Sequence, residues 1–359
     1  MSTDNEFISN FQESTAENNV DLGSKFVSKS YLIDVYPYLD GLGNNIITAG
    51  LWIWGYNVYG ELGDNTTTSR SSPIQTISGG TTWTQVDAGI YHTAAIKTDS
   101  TLWVWGLNGN GQLGDSTVAA RLSPVQTITG GTNWKQVATG AYHTVAIKTD
   151  GTLWCWGYGQ YGQLGDSTLT TTRSSPTQTI AGGTNWKKVS VGYYHNAAIK
   201  TDGTLWLWGY NAYGGIGDNS TTYRSSPVQT ISGGTNWKQA ACGGNCTAAI
   251  KTDGSLWVWG DNLVGQLGDS TRSHRSSPVQ TITGGTNWKQ VSCGYTTTRA
   301  IKTDGTLWNW GYNFYAQLGD STKTNRRSPV QTIAGGTTWK QVSGGYYHAT
   351  AIKEMGDDF

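Results

Sequence analysis

Six aspartates and six arginines recur at near-equal intervals along this chain, and they are the first residues to weigh for chemistry. The aspartates are Asp64, Asp115, Asp166, Asp218, Asp269 and Asp320; the arginines are Arg70, Arg121, Arg173, Arg224, Arg275 and Arg326. A ring of carboxylates would suit cation binding or acid–base work. Each aspartate, however, opens a loop of Ser, Thr and Asn, where a carboxylate caps a turn and clips to the arginine across it. His92, His143, His195 and His348 share another position, which holds Cys246 and Thr297 in the remaining copies. A catalytic or metal centre needs a few unlike residues converging on one point. An incomplete ring of histidines does not supply that, so each is expected to hold a neighbouring backbone group. Cys242, Cys246 and Cys293 leave a metal site between adjacent copies conceivable, whereas Cys155 reads as a small buried hydrophobe. The chain has no nucleophile elbow, phosphate-cradling loop or HExxH motif. No catalytic residue, cofactor or resident metal is therefore expected.

The elements that position these residues are set by a repeat of 51 or 52 residues. Eighteen tryptophans fall into six sets of three, as in Trp52, Trp54 and Trp83. A copy reads LWxWG, GQLGD, RSSPVQTI, GGTNWKQV and HTAAIKTDGT. Self-similarity at this period means one supersecondary unit copied and stacked or closed into a ring. Alternation in LWIWG sends Trp52 and Trp54 to one face and Leu51 and Ile53 to the other. Apolar residues on both faces suit a small sheet sandwiched between neighbours. Four short strands per copy mark a propeller blade, and no segment carries a helical period.

The expected fold is all-β: a six-bladed β-propeller of four-stranded blades with an extended N-terminal arm. Its repeats run about 51–101, 102–152, 153–204, 205–255, 256–306 and 307–353, inside a domain at 46–353, with an arm at 1–45 and a tail at 354–359. Because the first copy lacks a preceding HTAAIK strand and the last lacks a following LWxWG, pairing Ala349–Lys353 with Leu51–Gly55 would close the ring. Asn45–Thr48 is the alternative partner.

The segments GYNVYGELGD (55–64), GQLGD (111–115, 162–166 and 265–269) and the GxYH-TAAIK stretches resemble the regulator-of-chromosome-condensation repeat family. The resemblance covers about 300 of the 359 residues and implies a β-propeller. It carries no single function, because unrelated activities sit on this scaffold. The founding member's exchange activity on a small GTPase and its basic chromatin-binding tail are not implied. Residues 1–50 hold seven acids against Lys25 and Lys29, and no insertion breaks the period. Nor do GIYHT, GAYHT and GYYHN carry the Trp-Arg pair of the plant photoreceptor members.

The formal net charge is zero, which gives no footing for nucleic acid, and no stretch is suited to membrane insertion. Variation between copies concentrates in the loops after WG and after GD. There Tyr56, Tyr59, Tyr158, Tyr161, Tyr210, Tyr213, Tyr223, His274, Tyr312 and Tyr315 are the candidate binding residues. Tyrosine supplies rigid amphipathic contact area and short polar residues supply adaptable hydrogen bonds. In the arm, Tyr31, Leu32, Ile33, Val35, Tyr36, Tyr38 and Leu39 form a candidate tether. The leader DLGSKFVSKSYLIDVYPYL resembles those of tailed-bacteriophage structural proteins. The first expectation is thus a non-enzymatic virion appendage or decoration protein, held by its arm to other virion proteins and presenting its loops to a host-surface glycan or protein. A cellular, cytoplasmic protein-interaction scaffold is the second reading and a glycan-binding or glycan-active protein the third; a homo-oligomer fits any of them.

Overall fold

The computed structural model describes residues 31–39, 45–77, 82–128 and 131–354, all of it strand, turn or irregular backbone. Strands β1 (Tyr31–Leu39), β2 (Asn45–Gly55) and β3 (Arg70–Gln75) make a three-stranded sheet. The next sheet shows the complete blade: β4 (Trp83–Ala88), β5 (His92–Lys97), β6 (Leu102–Gly106) and β7 (Arg121–Gln126), antiparallel and in sequence order. Four further sheets repeat it. They are β8–β11 (Trp134–Thr139, His143–Lys148, Leu153–Gly157, Arg173–Gln178) and β12–β15 (Trp186–Val191, His195–Lys200, Leu205–Gly209, Arg224–Gln229). Then come β16–β19 (Trp237–Cys242, Cys246–Lys251, Leu256–Gly260, Arg275–Gln280) and β20–β23 (Trp288–Cys293, Thr297–Lys302, Leu307–Gly311, Arg326–Gln331). The chain ends on a two-stranded sheet, β24 (Trp339–Gly344) and β25 (Ala349–Lys353).

The strands lie where the apolar alternation puts them. In β5 the run HTAAIK is buried from His92 to Ile96, because blades pack on both of its faces. Each interior gap is filled by one blade's second and third strands and the next blade's tryptophan, as with Leu102, Val104, Trp134 and Val137. Trp105, Trp156, Trp208 and Trp259 each donate their indole N–H to a main-chain carbonyl of the preceding repeat, at 2.7–3.0 Å. The glutamine of WTQV, and of WKQV in later copies, adds a second bolt. The Gln85 amide donates to the Val137 carbonyl at 2.9 Å and accepts from the Val137 N–H at 3.1 Å, so one side chain imitates a strand to its neighbour.

The innermost strands β4, β8, β12, β16, β20 and β24 touch in series, and their end turns meet along a common axis. Close approach there requires glycine: a Cβ on Gly192 would sit 2.3 Å from the Gly243 carbonyl oxygen. The Tyr193 N–H donates to that same carbonyl at 3.2 Å.

The expected pairing of Ala349–Lys353 with Leu51–Gly55 is not what forms. Strand β2 runs unbroken from Asn45 to Gly55, and β1 folds back along it, placing Tyr31 opposite Ile53, Leu32 opposite Trp52 and Ile33 opposite Leu51. Asn45–Thr48 is therefore part of the same strand as Leu51–Gly55, not its partner. The physical reason is loop closure. A local hairpin pays far less chain entropy than pairing residues nearly 300 apart, and it registers nine positions in place of five. Among the described residues strand β25 pairs with β24 alone, and all five of its residues are exposed. Tyr31–Leu39, expected as an extended tether, is a strand on the first sheet; the side chains of its candidate residues lie outside the described residues, as do 1–30 and 355–359.

Candidate functional site

The recurrent aspartates and arginines are structural clips. In each copy the arginine reaches its aspartate: Arg70–Asp64 and Arg121–Asp115 at 2.7 Å, Arg173–Asp166 at 3.1 Å, Arg275–Asp269 at 2.8 Å, Arg326–Asp320 at 2.6 Å, and Arg224 with Asp218. The other carboxylate oxygen caps the loop, as Asp64 Oδ1 does for the Thr66 N–H at 3.0 Å and the Asn57 amide at 3.1 Å. Partial burial pushes these carboxyls up, but hydrogen bonds from Thr or Ser and from Arg outweigh it, and Asp320 is held down at about 2.

His92, His143 and His195 bolt neighbouring blades through side chains, and His195 also meets the Cys246 backbone, the kind of group expected of them. His92 Nε2 meets Thr144 Oγ1 at 2.8 Å, His143 meets Asn196 Oδ1 at 2.8 Å and His195 meets Thr247 Oγ1 at 2.9 Å. Burial lowers His92 to about 3 and His143 and His195 to about 4, so all three are neutral at physiological pH. Cys155, Cys242, Cys246 and Cys293 are buried, and none of them forms a disulfide. Among the described residues no three His, Cys, Asp or Glu side chains are grouped to hold a metal ion.

What the fold does assemble is an aromatic face. The loops after LWxWG and the turns before HTAAIK lie at the same end of the blades, because His92 pairs with Gly106. Tyrosines from both elements meet there. Tyr59 packs edge-on against Tyr91 at 5.7 Å, and Tyr91 continues to Tyr142 and on to Tyr194. Tyr161 contacts Tyr158, Tyr194, Tyr210 and Tyr223 at 5.1–5.7 Å. Tyr210 leads to Tyr213 and so to His274. On the other side Tyr193 touches Tyr295, Tyr295 stacks on Tyr346 at 4.1 Å, and Tyr347 reaches Tyr315 and Tyr312. The network is continuous. Nine of the ten loop residues singled out in the sequence belong to it, and the tenth, Tyr56, lines the axial cavity at its centre.

Phe314, which packs on Tyr312 and Tyr315, was missed, and so were seven tyrosines of the network: Tyr91, Tyr142, Tyr193, Tyr194, Tyr295, Tyr346 and Tyr347. Their signal was present, since GIYH, GAYH, GYYH, GYTT and GYYH put tyrosine at one or both places before the histidine position. It is the hairpin register that carries those turns to the same end as the variable loops. Burial, with added repulsion between neighbouring phenols, raises Tyr142 and Tyr210 to about 12, so these two phenols keep their protons at neutral pH.

A repeating four-stranded blade whose inner turns converge on an axis defines a repeat propeller, here with one end paved by aromatic side chains. The chain belongs to the regulator of chromosome condensation (RCC1) repeat family, whose model matches residues 49–96, 99–147, 150–199, 202–250, 253–301 and 304–352. It is 31% identical over 296 residues to the ultraviolet-B receptor UVR8 of Arabidopsis thaliana, covering 78% of this chain and 64% of that receptor's length. Among solved structures it is similar to human WBSCR16, with TM-score 0.74 and 23% identity, covering 86% of this chain and 82% of the other. It is also similar to Prp20p of Saccharomyces cerevisiae, with TM-score 0.73 and 19% identity, covering 87% and 81%; that structure was described with the protein's binding to Gsp1p and histones.

Proposed function

We propose that this protein is a non-enzymatic interaction scaffold that binds a protein partner across its tyrosine-paved face. The single observation that carries this reading is the continuous ring-contact network from Tyr59 to Tyr315, supplied by separate repeats yet gathered at one end of the blades. Tyrosine and other aromatic anchors dominate the energetics of protein interfaces, because each buries a large area at small entropic cost. The exposed network residues Phe314 and Tyr315, together with Tyr56 at the axial cavity, leave apolar area for a partner to cover. Protein binding by the similar Prp20p fits this picture. The virion-appendage and glycan readings draw no support from these relatives, and the scaffold reading does. No helix among the described residues is long and apolar enough to cross a membrane.

The test is site-specific photocrosslinking. A photoreactive phenylalanine analogue at position 213, on the aromatic face, should form one discrete partner adduct that excess unlabelled protein suppresses. The same probe at Ile231, exposed in a loop at the opposite end, should not. Equal labelling from the two ends would sink the proposal.

A further inference from the structure

At the centre of the aromatic face lies a cavity of about 320 Å³ on the propeller axis, lined by residues of all six repeats. One position per repeat rings it: Ile90, Ala141, Tyr193, Gly244, Tyr295 and Tyr346. Half of that ring is aromatic, and the three tyrosines form a contiguous wall. Tyr295 stacks on Tyr346 at 4.1 Å and meets Tyr193 at 5.5 Å, reaching it across Gly244, where a Cβ would stand 2.7 Å from the Tyr295 ring.

One carboxylate, Glu61, also lines the cavity. Its repeat position holds Gln112, Gln163, Gly215, Gln266 and Gln317 in the other copies. In the four glutamine copies the side-chain oxygen accepts the main-chain N–H two residues earlier, at 2.9–3.0 Å. Glu61 Oε2 does the same for the Tyr59 N–H at 2.9 Å. The fold therefore asks only for an amide oxygen here, and the negative charge is surplus to it. Glu61 is only 6% exposed and its Oε1 has no hydrogen-bond partner. A buried carboxylate without a cation is costly. No lysine or arginine lines the cavity among the described residues, and His92 beside it is neutral.

We propose that the axial cavity receives an organic cation, an alkylammonium or guanidinium head, with Glu61 as counter-charge and Tyr193, Tyr295 and Tyr346 as the π-rich wall. Ammonium and guanidinium groups are drawn to the faces of tyrosine rings, more strongly when water is excluded. This inference stands apart from the partner reading above, since a small cation enters whether or not a protein covers the face.

The experiment is calorimetric titration of the full chain with two cations and their neutral isosteres. Choline is compared with 3,3-dimethylbutanol, and N-acetyl-arginine amide with N-acetyl-citrulline amide. At least one cation should bind about tenfold more tightly than its isostere. The Glu61→Gln variant, which installs the residue four other repeats already use, should melt at or above the parent's temperature and lose that preference. Tyr295→Leu should weaken the favoured cation several-fold. A preference for choline assigns the site to free quaternary ammonium compounds; a preference for the arginine amide assigns it to a side chain presented by a protein. Equal binding of cation and isostere, no binding of either cation, or a preference that survives in Glu61→Gln would each overturn the proposal.

Discussion

Replacing Arg299 should make this protein more stable, against the usual direction of substitutions in a core. Arg299 stands in β21 where the other complete blades have Ala94, Val145, Ala197 and Ala248, and it is 0% exposed. Its guanidinium donates to Thr297 Oγ1 at 2.8 Å and makes two long contacts of 3.4 Å to the Gln317 and His348 carbonyls. Its Nε–H is unpaired, and no carboxylate reaches it in any ion pair among the described residues. Opposite it across the sheet, Asn309 replaces Val104, Cys155, Leu207 and Val258 and leaves its own Oδ1 unpaired. Burial lowers Arg299 from the usual guanidinium range to about 10. At 1.36 kcal/mol per factor of ten, that difference corresponds to roughly 3 kcal/mol of strain in the charged form, which persists at pH 7. The double variant Arg299→Ala/Asn309→Val restores the pair used by the blade β4–β7, so it should recover about 2–3 kcal/mol, after allowance for lost packing of the arginine stem. Urea unfolding at pH 7 measures this directly: the midpoint should rise with an unchanged slope, while Arg299→Lys, which keeps the charge, should not raise it. A double variant less stable than the parent by 1 kcal/mol or more would refute the reasoning.

Two acid-sensitive layers should separate in pH. Folded-state values for His92, His143 and His195 lie below the free imidazole's, so their stability contribution is complete above about 6.5 and falls as pH drops from there toward 4; replacing all three with Asn should flatten that part of a urea-midpoint profile. The clip aspartates are likewise depressed, so their contribution is present above the free carboxylate value and disappears as pH falls from about 4 toward 2; Asp320→Asn should cost roughly 1–2 kcal/mol at pH 7 and little at pH 2. Strands β1 and β25 suit the same edge of β2, so deleting residues 1–44 should hand that edge to Ala349–Lys353. Hydrogen exchange would then show those five amides slowed; unchanged fast exchange would mean β25 is not the edge's alternative occupant.

Most of the fold was legible because the same local rules act six times. LWxWG, with apolar residues on both faces, could only be an interior strand, and TDG could only be a tight turn. In β6, β10, β14 and β18 every residue of LWxWG is buried except the first tryptophan, which is half-buried. The closure was not legible for a definite reason. Tyr31–Leu39 has no counterpart in the repeat, so its pairing with β2 is a competition between chain entropy and register that no periodicity records. The aromatic face was half legible. Loop tyrosines stood out by varying, whereas Tyr91, Tyr142 and Tyr194 looked like part of a packing motif because they precede the blade-bolting histidines.

That last confusion points to how such a chain separates packing from function. Packing keeps a side chain in every copy, and it explains the tryptophans: Trp105, Trp156, Trp208 and Trp259 are buried, each spending its N–H on a neighbour's carbonyl. Residues that depart from the period while leaving the local hydrogen bond intact have no packing explanation. Glu61 is the clearest instance, since a glutamine would make the same bond. Arg299 departs differently, leaving donors unpaired inside the core, and so reads as a cost carried at the join with the last blade. The two substitutions therefore predict different behaviour under repair toward the repeat: Arg299→Ala/Asn309→Val should raise stability without touching cation binding, and Glu61→Gln should abolish the cation preference without lowering the melting temperature. If the double variant altered cation binding, or Glu61→Gln kept the cation preference, the distinction between a charge held for a ligand and one that only strains the core would fail, and with it the argument that the axial carboxylate is there for a ligand.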